Sequence, residues 1–517
     1  MKNSLILLLF LSNFVNAQDR YWVYLTDKKD VTFNPYEYFD PKAIDRRIKT
    51  SVSLYDSTDF PLNQAYVHKI SELTETVEFE SRWFNSVFVS ASENQIEEIK
   101  RLSFVKDVQS VLFSTYPADY ITETTEDIQE LLIKQTERMQ GSFFSEKNID
   151  GKGVRIAIFD GGFPAVNTSP VFEHIRNENR ILKTFDFTKN KEFVYYSIAH
   201  GTMVMSCIGG ILDGKKMGLA TGAEFLLAKT EINSEPFSEE KNWLAAVEWA
   251  DKNGVDVINS SLGYTYHRYF VKDMDGKTSL VARAANLAAR KGILVVNSNG
   301  NEADSKWKYL GTPADADSVL SIGGIDPHSD YHISFSSFGP TADKRMKPNV
   351  CAFGTAAVAG KNQITKADGT SFSSPLVAGF AACAWQTNRD LTNMELFNEI
   401  QKSGDLYPYY DYAHGFGVPQ AGYFVNTTML EKIPTFEIFE DNNLLKIIIP
   451  DSLAFISDPP SYLYYHIENN EGYLDKYAVI SVYSSNAFEL DKSLFNENIK
   501  LRFHYRGYTK EVIINNH

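Results

Sequence analysis

Between residues 129 and 428, short apolar strands alternate with helical stretches, and this feature constrains the fold of the chain more than any other. Val154 to Phe159, Phe225 to Ala228, Val255 to Asn259, Ile293 to Val296 and Val319 to Ile322 read as strands. Trp243 to Asn253 and Ser279 to Lys291 carry helical spacing between them. Apolar runs without a polar alternate position fit strands buried on both faces, so the expectation is an α/β domain with a parallel sheet covered by helices. Asp256, inside such a run, is expected to be a satisfied structural carboxylate. Ligands of parallel sheets sit beyond the carboxyl ends of the strands, and the polar residues ending these strands are where chemistry is sought.

The flanks read differently. Residues 1–17 have the pattern of a signal peptide: Lys2, an apolar stretch from Leu5 to Leu11, and Val15-Asn16-Ala17 as a small-residue cleavage site. The competing reading is a frayed or buried N-terminal helix. The apolar stretch is shorter than the ~20 residues a transmembrane helix needs, and no later segment approaches that length. The reading is therefore an exported protein, secreted or at the cell surface, with no transmembrane segment. Residues 20–115 suggest a small α/β sandwich, with Tyr21 to Leu25, Val87 to Val89 and Val105 to Val111 extended and Glu93 to Leu102 helical. Residues 116–128, rich in Thr, Glu and Asp, read as an exposed linker open to proteolytic nicking. Residues 430–517 are β-patterned and suggest a β-sandwich.

A formal net charge of −15 over 517 residues argues against a phosphate-backbone ligand, and no Lys/Arg run interleaved with aromatics points to nucleic acid. Cys207, Cys351 and Cys383 are too few and too far apart for a disulfide framework or a zinc spacing, and each sits in an apolar stretch as a core residue would.

Three motifs carry chemistry. Asp160 ends the strand Val154 to Phe159 and is followed by Gly161-Gly162. His200 opens His200-Gly201-Thr202-Met203-Val204, leading into a buried helix through Ile208. Ser371 lies in Gly369-Thr370-Ser371-Phe372-Ser373-Ser374-Pro375, ahead of a helical run from Leu376 to Ala384. A serine at a helix start has its oxygen near the positive end of the helix dipole. Peptide hydrolysis needs a nucleophilic hydroxyl, a base to take its proton and an acid to orient the base.

In these motifs, and in their order Asp, His, Ser, the chain resembles the subtilisin-like serine proteases. Further motifs extend the resemblance: Gly151-Lys152-Gly153-Val154, Asn259-Ser260-Ser261-Leu262-Gly263 and Asn299-Gly300-Asn301-Glu302. The resemblance implies Ser371 as nucleophile, His200 as general base and then acid, and Asp160 as the group orienting the imidazole. It implies Asn301 and the Ser371 N–H as donors to the developing oxyanion. It also implies that Ser261, Leu262, Gly263 and Gly300 bind substrate, partly as an added strand. Ser373 and Ser374 compete with Ser371 as nucleophile, and Asn259 and Asn299 compete with Asn301 as oxyanion donor. Asp186 and His174 read as ordinary surface or loop residues. The reaction requires no cofactor. Calcium is frequent in the family, but no ligand set can be assigned from the sequence.

The residues Arg82 to Val89, Glu93 to Leu102 and Val105 to Val108 resemble the inhibitor-like propeptides of subtilisins, so the chain's own N-terminal domain is an expected partner, cleaved between about 112 and 130. Met203 stands where many members have a second His, and Phe353 replaces a common Pro. The acidic segment Glu231 to Glu240 offers Glu239 and Glu240 as attractors of basic substrate side chains, against the plainer reading of a solvated helix start. The C-terminal block, from Asp458-Pro459-Pro460 on, weakly resembles sorting domains of type IX secretion; an accessory β-domain bracing the protease is the alternative. The functional expectation is a serine endopeptidase acting on proteins or peptides through an acyl-enzyme. Its rivals are an inactive member serving as a binding protein, and ligation or ester hydrolysis on the same residues.

Overall fold

The structure is a computed structural model that describes residues 19–111, 122–123, 128–232, 238–266, 268–361, 363–425, 433–441, 443–454, 461–482, 486–494 and 499–514. The expected signal peptide and Asp458-Pro459-Pro460 lie outside these residues. Two compact units emerge: residues 1–33 with 57–113, and residues 34–56 with 114–517.

In the second unit, seven parallel strands form one sheet in the order Val350–Phe353, Val319–Ile325, Leu294–Ser298, Val257–Ser260, Arg155–Asp160, Glu224–Lys229, Ile181–Asp186. The five expected strands are all present. Ile156, Ile158, Leu227, Val257, Val296 and Leu320 are fully buried, as unbroken apolar strands between two helical layers must be. The helices Ser238–Lys252 and Leu280–Arg290 match the two helical stretches expected. From Arg155–Asp160 the chain passes to the edge strand Ile181–Asp186, returns through Glu224–Lys229 beside its starting strand, then crosses to Val257–Ser260 and winds outward to the other edge. The reversal falls between Arg155–Asp160 and its neighbour Val257–Ser260, the switch point where such sheets bind ligands. Asp160 and Ser261 stand at the carboxyl ends of these two central strands.

The helix Thr370–Thr387 runs through the core, with Leu376, Val377, Phe380 and Ala384 fully buried. The hairpin Thr355–Ala359 and Ile364–Asp368 precedes it, and Thr122–Glu123 pairs antiparallel with Lys366 and Ala367 of its second strand. Part of the expected linker is thus an added strand beside the segment leading into Gly369. Cys207, Cys351 and Cys383 are free and buried in the core, and burial pushes the Cys207 thiol up to about 12.

The C-terminal block forms two antiparallel sheets, Glu437–Asp441, Leu444–Ile448, Ala487–Asp491 and Leu474–Ser481, Tyr462–Glu468, Ile499–Tyr505, Tyr508–Ile514. Leu445 and Ile447 from one sheet and Leu463, Leu501 and Phe503 from the other share one core, the β domain expected from the pattern.

The first unit is a four-stranded antiparallel sheet in the order Thr76–Ser81, Ser86–Ser90, Arg20–Leu25, Val105–Val111. Val23, Val87 and Val89 from the sheet pack with Ile70, Ile96 and Ile99 from the helices Gln64–Ser71 and Glu93–Ile99. Ser92 and Gln95 form a capping box that starts the second helix.

Candidate active site

Asp160 closes its strand with a fully buried side chain. One carboxylate oxygen accepts from the Gly161 N–H at 2.7 Å, and the other lies 2.8 Å from His200 Nδ1. Facing a carboxylate, Nδ1 carries the proton of the neutral imidazole, which leaves Nε2 as the basic nitrogen. The pair exists because the helix His200–Gly209 starts directly against the strand end. A Cβ at Gly201 would lie 2.5 Å from the Gly162 oxygen and 2.9 Å from Asp160 Cβ, so no larger residue fits there. The Thr202 hydroxyl fixes the same turn by donating to the Pro164 carbonyl at 2.6 Å. Met203 packs on the core, its methyl 3.6 Å from where a side chain at Gly360 would begin.

Ser371 stands in the first turn of the helix Thr370–Thr387, half-buried. The His200 ring lies against Phe372, the next residue, with ring centroids 5.6 Å apart. The Ser371 hydroxyl donates to the Ser261 carbonyl at 3.2 Å, and the Ser261 hydroxyl donates back to the Ser371 carbonyl at 2.8 Å. The rival serines are committed elsewhere. Ser373 donates to the Phe353 carbonyl at 3.0 Å and Ser374 to Asn259 Oδ1 at 2.9 Å, both fully buried.

The three asparagines separate in the same way. Asn259 donates to the Ser261 hydroxyl at 3.1 Å while accepting from Ser374, and Asn299 accepts from the Ser321 hydroxyl at 2.6 Å. Both are fully buried, whereas Asn301 is exposed. Asn301 Oδ1 accepts from the Thr370 N–H and hydroxyl, each at 2.9 Å, which turns its amide nitrogen toward Gly369. A Cβ at Gly369 would lie 3.5 Å from Asn301 Nδ2 and 3.7 Å from the Ser371 nitrogen, so both nitrogens lie beside Gly369. Thr370, which sequence reasoning passed over, also accepts from the Gly300 N–H at 3.2 Å and so ties the Gly300-Asn301 turn to the serine helix.

Ser261 and Leu262 are buried, and the Leu262 carbonyl accepts from Asn297 Nδ2 at 2.9 Å. Gly263 is exposed with open space where a side chain would stand. Asp256 accepts from the Arg155 N–H at 2.8 Å and pairs with Lys42 and Arg389, a structural carboxylate as expected. Asp186, in contrast to the surface role expected of it, is fully buried and accepts from the Thr188 hydroxyl at 2.6 Å.

The acidic segment overturns its expectation. Glu239 and Glu240 are fully buried and face Arg268 at 3.4 and 3.6 Å, and Tyr269 donates to Glu240 at 2.7 Å. They are neither attractors of substrate cations nor a solvated helix start, because both are buried against Arg268 of the chain itself. Among the described residues, no group of three or more His, Cys, Asp or Glu side chains gathers as a metal site would require, and no helix is long and apolar enough to cross a membrane.

A buried carboxylate on an imidazole and a serine hydroxyl at a helix start, gathered at the carboxyl ends of a parallel sheet, are the kinds of group that hydrolytic serine enzymes use. Residues 151–417 match the Subtilase family, Peptidase S8, and the chain belongs to that family. Residues 20–126 match the Peptidase S8 propeptide domain of Bacteroidota, so the chain is a subtilisin-like serine protease with a propeptide. It is 29% identical over 266 residues to subtilisin DY of Bacillus licheniformis, covering 50% of this chain and 88% of that protein. It is 27% identical over 290 residues to serine protease AprX of Bacillus subtilis (strain 168), covering 50% of this chain and 62% of that one. The fold is shared with fervidolysin from Fervidobacterium pennivorans, a keratinolytic enzyme related to subtilisin, at a TM-score of 0.55 and 14% identity over 94% of this chain and 70% of that one.

Proposed function

We propose that the chain is an exported endopeptidase that cleaves peptide bonds through an acyl-enzyme on Ser371 and is made as an autoinhibited precursor. The observation that carries this reading is the 2.8 Å contact between His200 Nδ1 and Asp160, which orients the base toward the end of the sheet where Ser371 stands. In the proposed cycle, His200 Nε2 takes the hydroxyl proton as Ser371 attacks the scissile carbonyl, and the resulting imidazolium is stabilised by Asp160. The oxyanion is received by Asn301 Nδ2 and the Ser371 N–H. His200 then protonates the leaving amine, and water repeats the sequence to free the acid product. Gly263, with open space above it, and Gly300 border the approach of the substrate backbone.

The precursor is cut in the linker, between about 112 and 130. The pairing of Thr122–Glu123 with Lys366 and Ala367 supports this reading, because it leads the linker along the strand that runs into the serine motif. Export rests on the pattern of residues 1–17.

Fluorophosphonate labelling of the processed protein, with the adduct mapped by mass spectrometry and Ser371→Ala in parallel, tests the central claim. An adduct on Ser371, absent from the variant, is expected. A folded, processed protein that takes no label would instead favour a binding protein built on an inactive member of the family.

A further inference from the structure

The propeptide match spans residues 20–126, yet Asn34 to Asp56 leave the first unit and belong to the second. Their helix Pro41–Lys49 lies on a built socket. Arg46, 5% exposed, donates Nε to the Lys291 carbonyl at 3.1 Å, Nη1 to the Val255 carbonyl, and Nη2 to the Asp251 carbonyl at 3.2 Å and to its carboxylate. Arg47, fully buried, donates to both Asp251 carboxylate oxygens at 3.0 and 2.6 Å, with Phe39 over its guanidinium at 3.8 Å. Lys42 adds an ion pair to Asp256 at 2.8 Å and a bond to the Gly153 carbonyl at 2.8 Å.

The socket is made from the ends of two helices. Asp251 lies in the last turn of Ser238–Lys252, and Lys291 caps Leu280–Arg290. Helix C-termini present orphan carbonyls and negative partial charge, and here both converge on one guanidinium. Each helix is followed by a glycine with positive φ, Gly254 at 70° and Gly292 at 93°. A Cβ on Gly254 would lie 2.9 Å from Lys42 Cβ, and one on Gly292 would lie 3.0 Å from Arg46 Cγ. The catalytic residues are at the other end of the sheet. Arg155, which pairs with Asp40 at 3.2 Å, and Asp160 are opposite ends of one strand, roughly 17 Å apart for a six-residue strand.

We propose that this segment is a rear anchor, which keeps the propeptide attached to the catalytic domain after the linker is cut. The inference rests on the reading that the linker is cut, and adds a holding site remote from the catalytic groups. Cleavage between 112 and 130 leaves every contact of Asn34 to Asp56 in place. Release must strip both guanidiniums from Asp251, a carboxylate 1% exposed. These charge-assisted bonds must break before water can reach the groups that made them, and that barrier slows dissociation.

The test separates this claim from the catalytic one. In the full chain carrying Ser371→Ala, residues 113–121 receive the recognition sequence of a sequence-specific viral protease, and the chain is cut with that protease. The N-terminal fragment is expected to co-elute with the remainder on size exclusion, with amides of residues 41–49 still protected from hydrogen exchange. Arg46→Met with Arg47→Met is expected to raise the fragment's dissociation rate by at least about 30-fold. Separation of the unsubstituted fragment, loss of protection over 41–49 despite co-elution, or equal dissociation in the variant would each overturn the anchor. The exchange measurement needs neither arginine substitution, so a misfolded double substitution leaves the test intact. Failure of the wild-type chain to cut its own linker counts against the proposed activity and leaves the anchor result unaffected.

Discussion

The Ser261 hydroxyl donates to the Ser371 carbonyl at 2.8 Å, filling a bond that the serine's own helix does not make. In an α-helix that carbonyl would accept from the N–H four residues on, which is Pro375 and has no N–H. Ser261 thus holds the first turn of the Ser371 helix from the end of a central strand. Ser261→Ala is expected to cost about 1 kcal/mol of stability and to lower kcat more than it raises KM. Adding Pro375→Ala returns a helical donor to the Ser371 carbonyl and should recover part of both losses. Stability from denaturant melts and steady-state kinetics on a peptide substrate decide; equal kcat in Ser261→Ala and the unaltered enzyme would remove Ser261 from the positioning of Ser371.

Asn301 plays two parts that can be pulled apart. Its oxygen holds Thr370 and its nitrogen lies beside Gly369. Asn301→Ala should lower kcat by about 100- to 1000-fold. Asn301→Asp keeps an acceptor for Thr370 but loses the donor, so it should be as inactive as the alanine variant while melting closer to the unaltered chain. An active aspartate variant would show that the amide does not stabilise the oxyanion.

How far the sequence carried depended on range. Apolar runs and helical spacing are local, and they marked five of the seven central strands. The two strands it missed are the edges, Ile181–Asp186 and Val350–Phe353. The first has its apolar run interrupted by Lys183 and Thr184 and leaves Leu182 and Lys183 exposed, and the second follows Lys347-Pro348-Asn349, a poor introduction to a strand. The motif order placed the carboxylate, imidazole and hydroxyl at one end of the sheet. The exchange of bonds between Ser261 and Ser371 was not legible, although Pro375 was a visible cue. The pairing of Arg46 and Arg47 with Asp251 had no sequence signal, because the partner lies some two hundred residues away and no local preference points to it. Glu239 and Glu240 failed for the same reason. A helix start predicts solvated acids until Arg268 is known to fold over them.

That cluster makes its own prediction. Burial pushes the Glu240 carboxyl above its ordinary value, although Arg268 and the Tyr269 hydroxyl pull it down. Arg268→Met would leave two buried acids without their guanidinium and is expected to cost about 3–5 kcal/mol, read by denaturant melts. Glu240→Gln should cost far less. Neither change should alter the preference for Lys or Arg in a peptide library, since these acids do not reach the substrate. A shift in that preference would reopen the cleft-charge reading.

The C-terminal β domain should carry an acid-sensitive latch. Glu468 lies within 3.0 Å of Arg502, 3.1 Å of Lys500 and 3.2 Å of His466, while Arg502 also donates to the Pro408 carbonyl at 3.1 Å and His466 Nδ1 meets the Tyr410 carbonyl at 2.6 Å. These bonds join the domain to the loop that ends the protease fold. Burial raises the Glu468 carboxyl, but the His466 hydrogen bond and the Arg502 charge outweigh it and hold it down at about 2, against an ordinary 4.5. A carboxyl that gives up its proton more readily in the folded chain stabilises that state above its unfolded value, and the contribution fades as pH falls from 4.5 toward 2. Solvent at the edge of the domain screens part of that gain, so Glu468→Gln should lower stability by roughly 1–2 kcal/mol at neutral pH. The gap to the unaltered chain should close across that acid window. Thermal melts of both chains in a pH series check it. A gap that stays constant into strong acid would mean that the Glu468 charge contributes nothing to the latch.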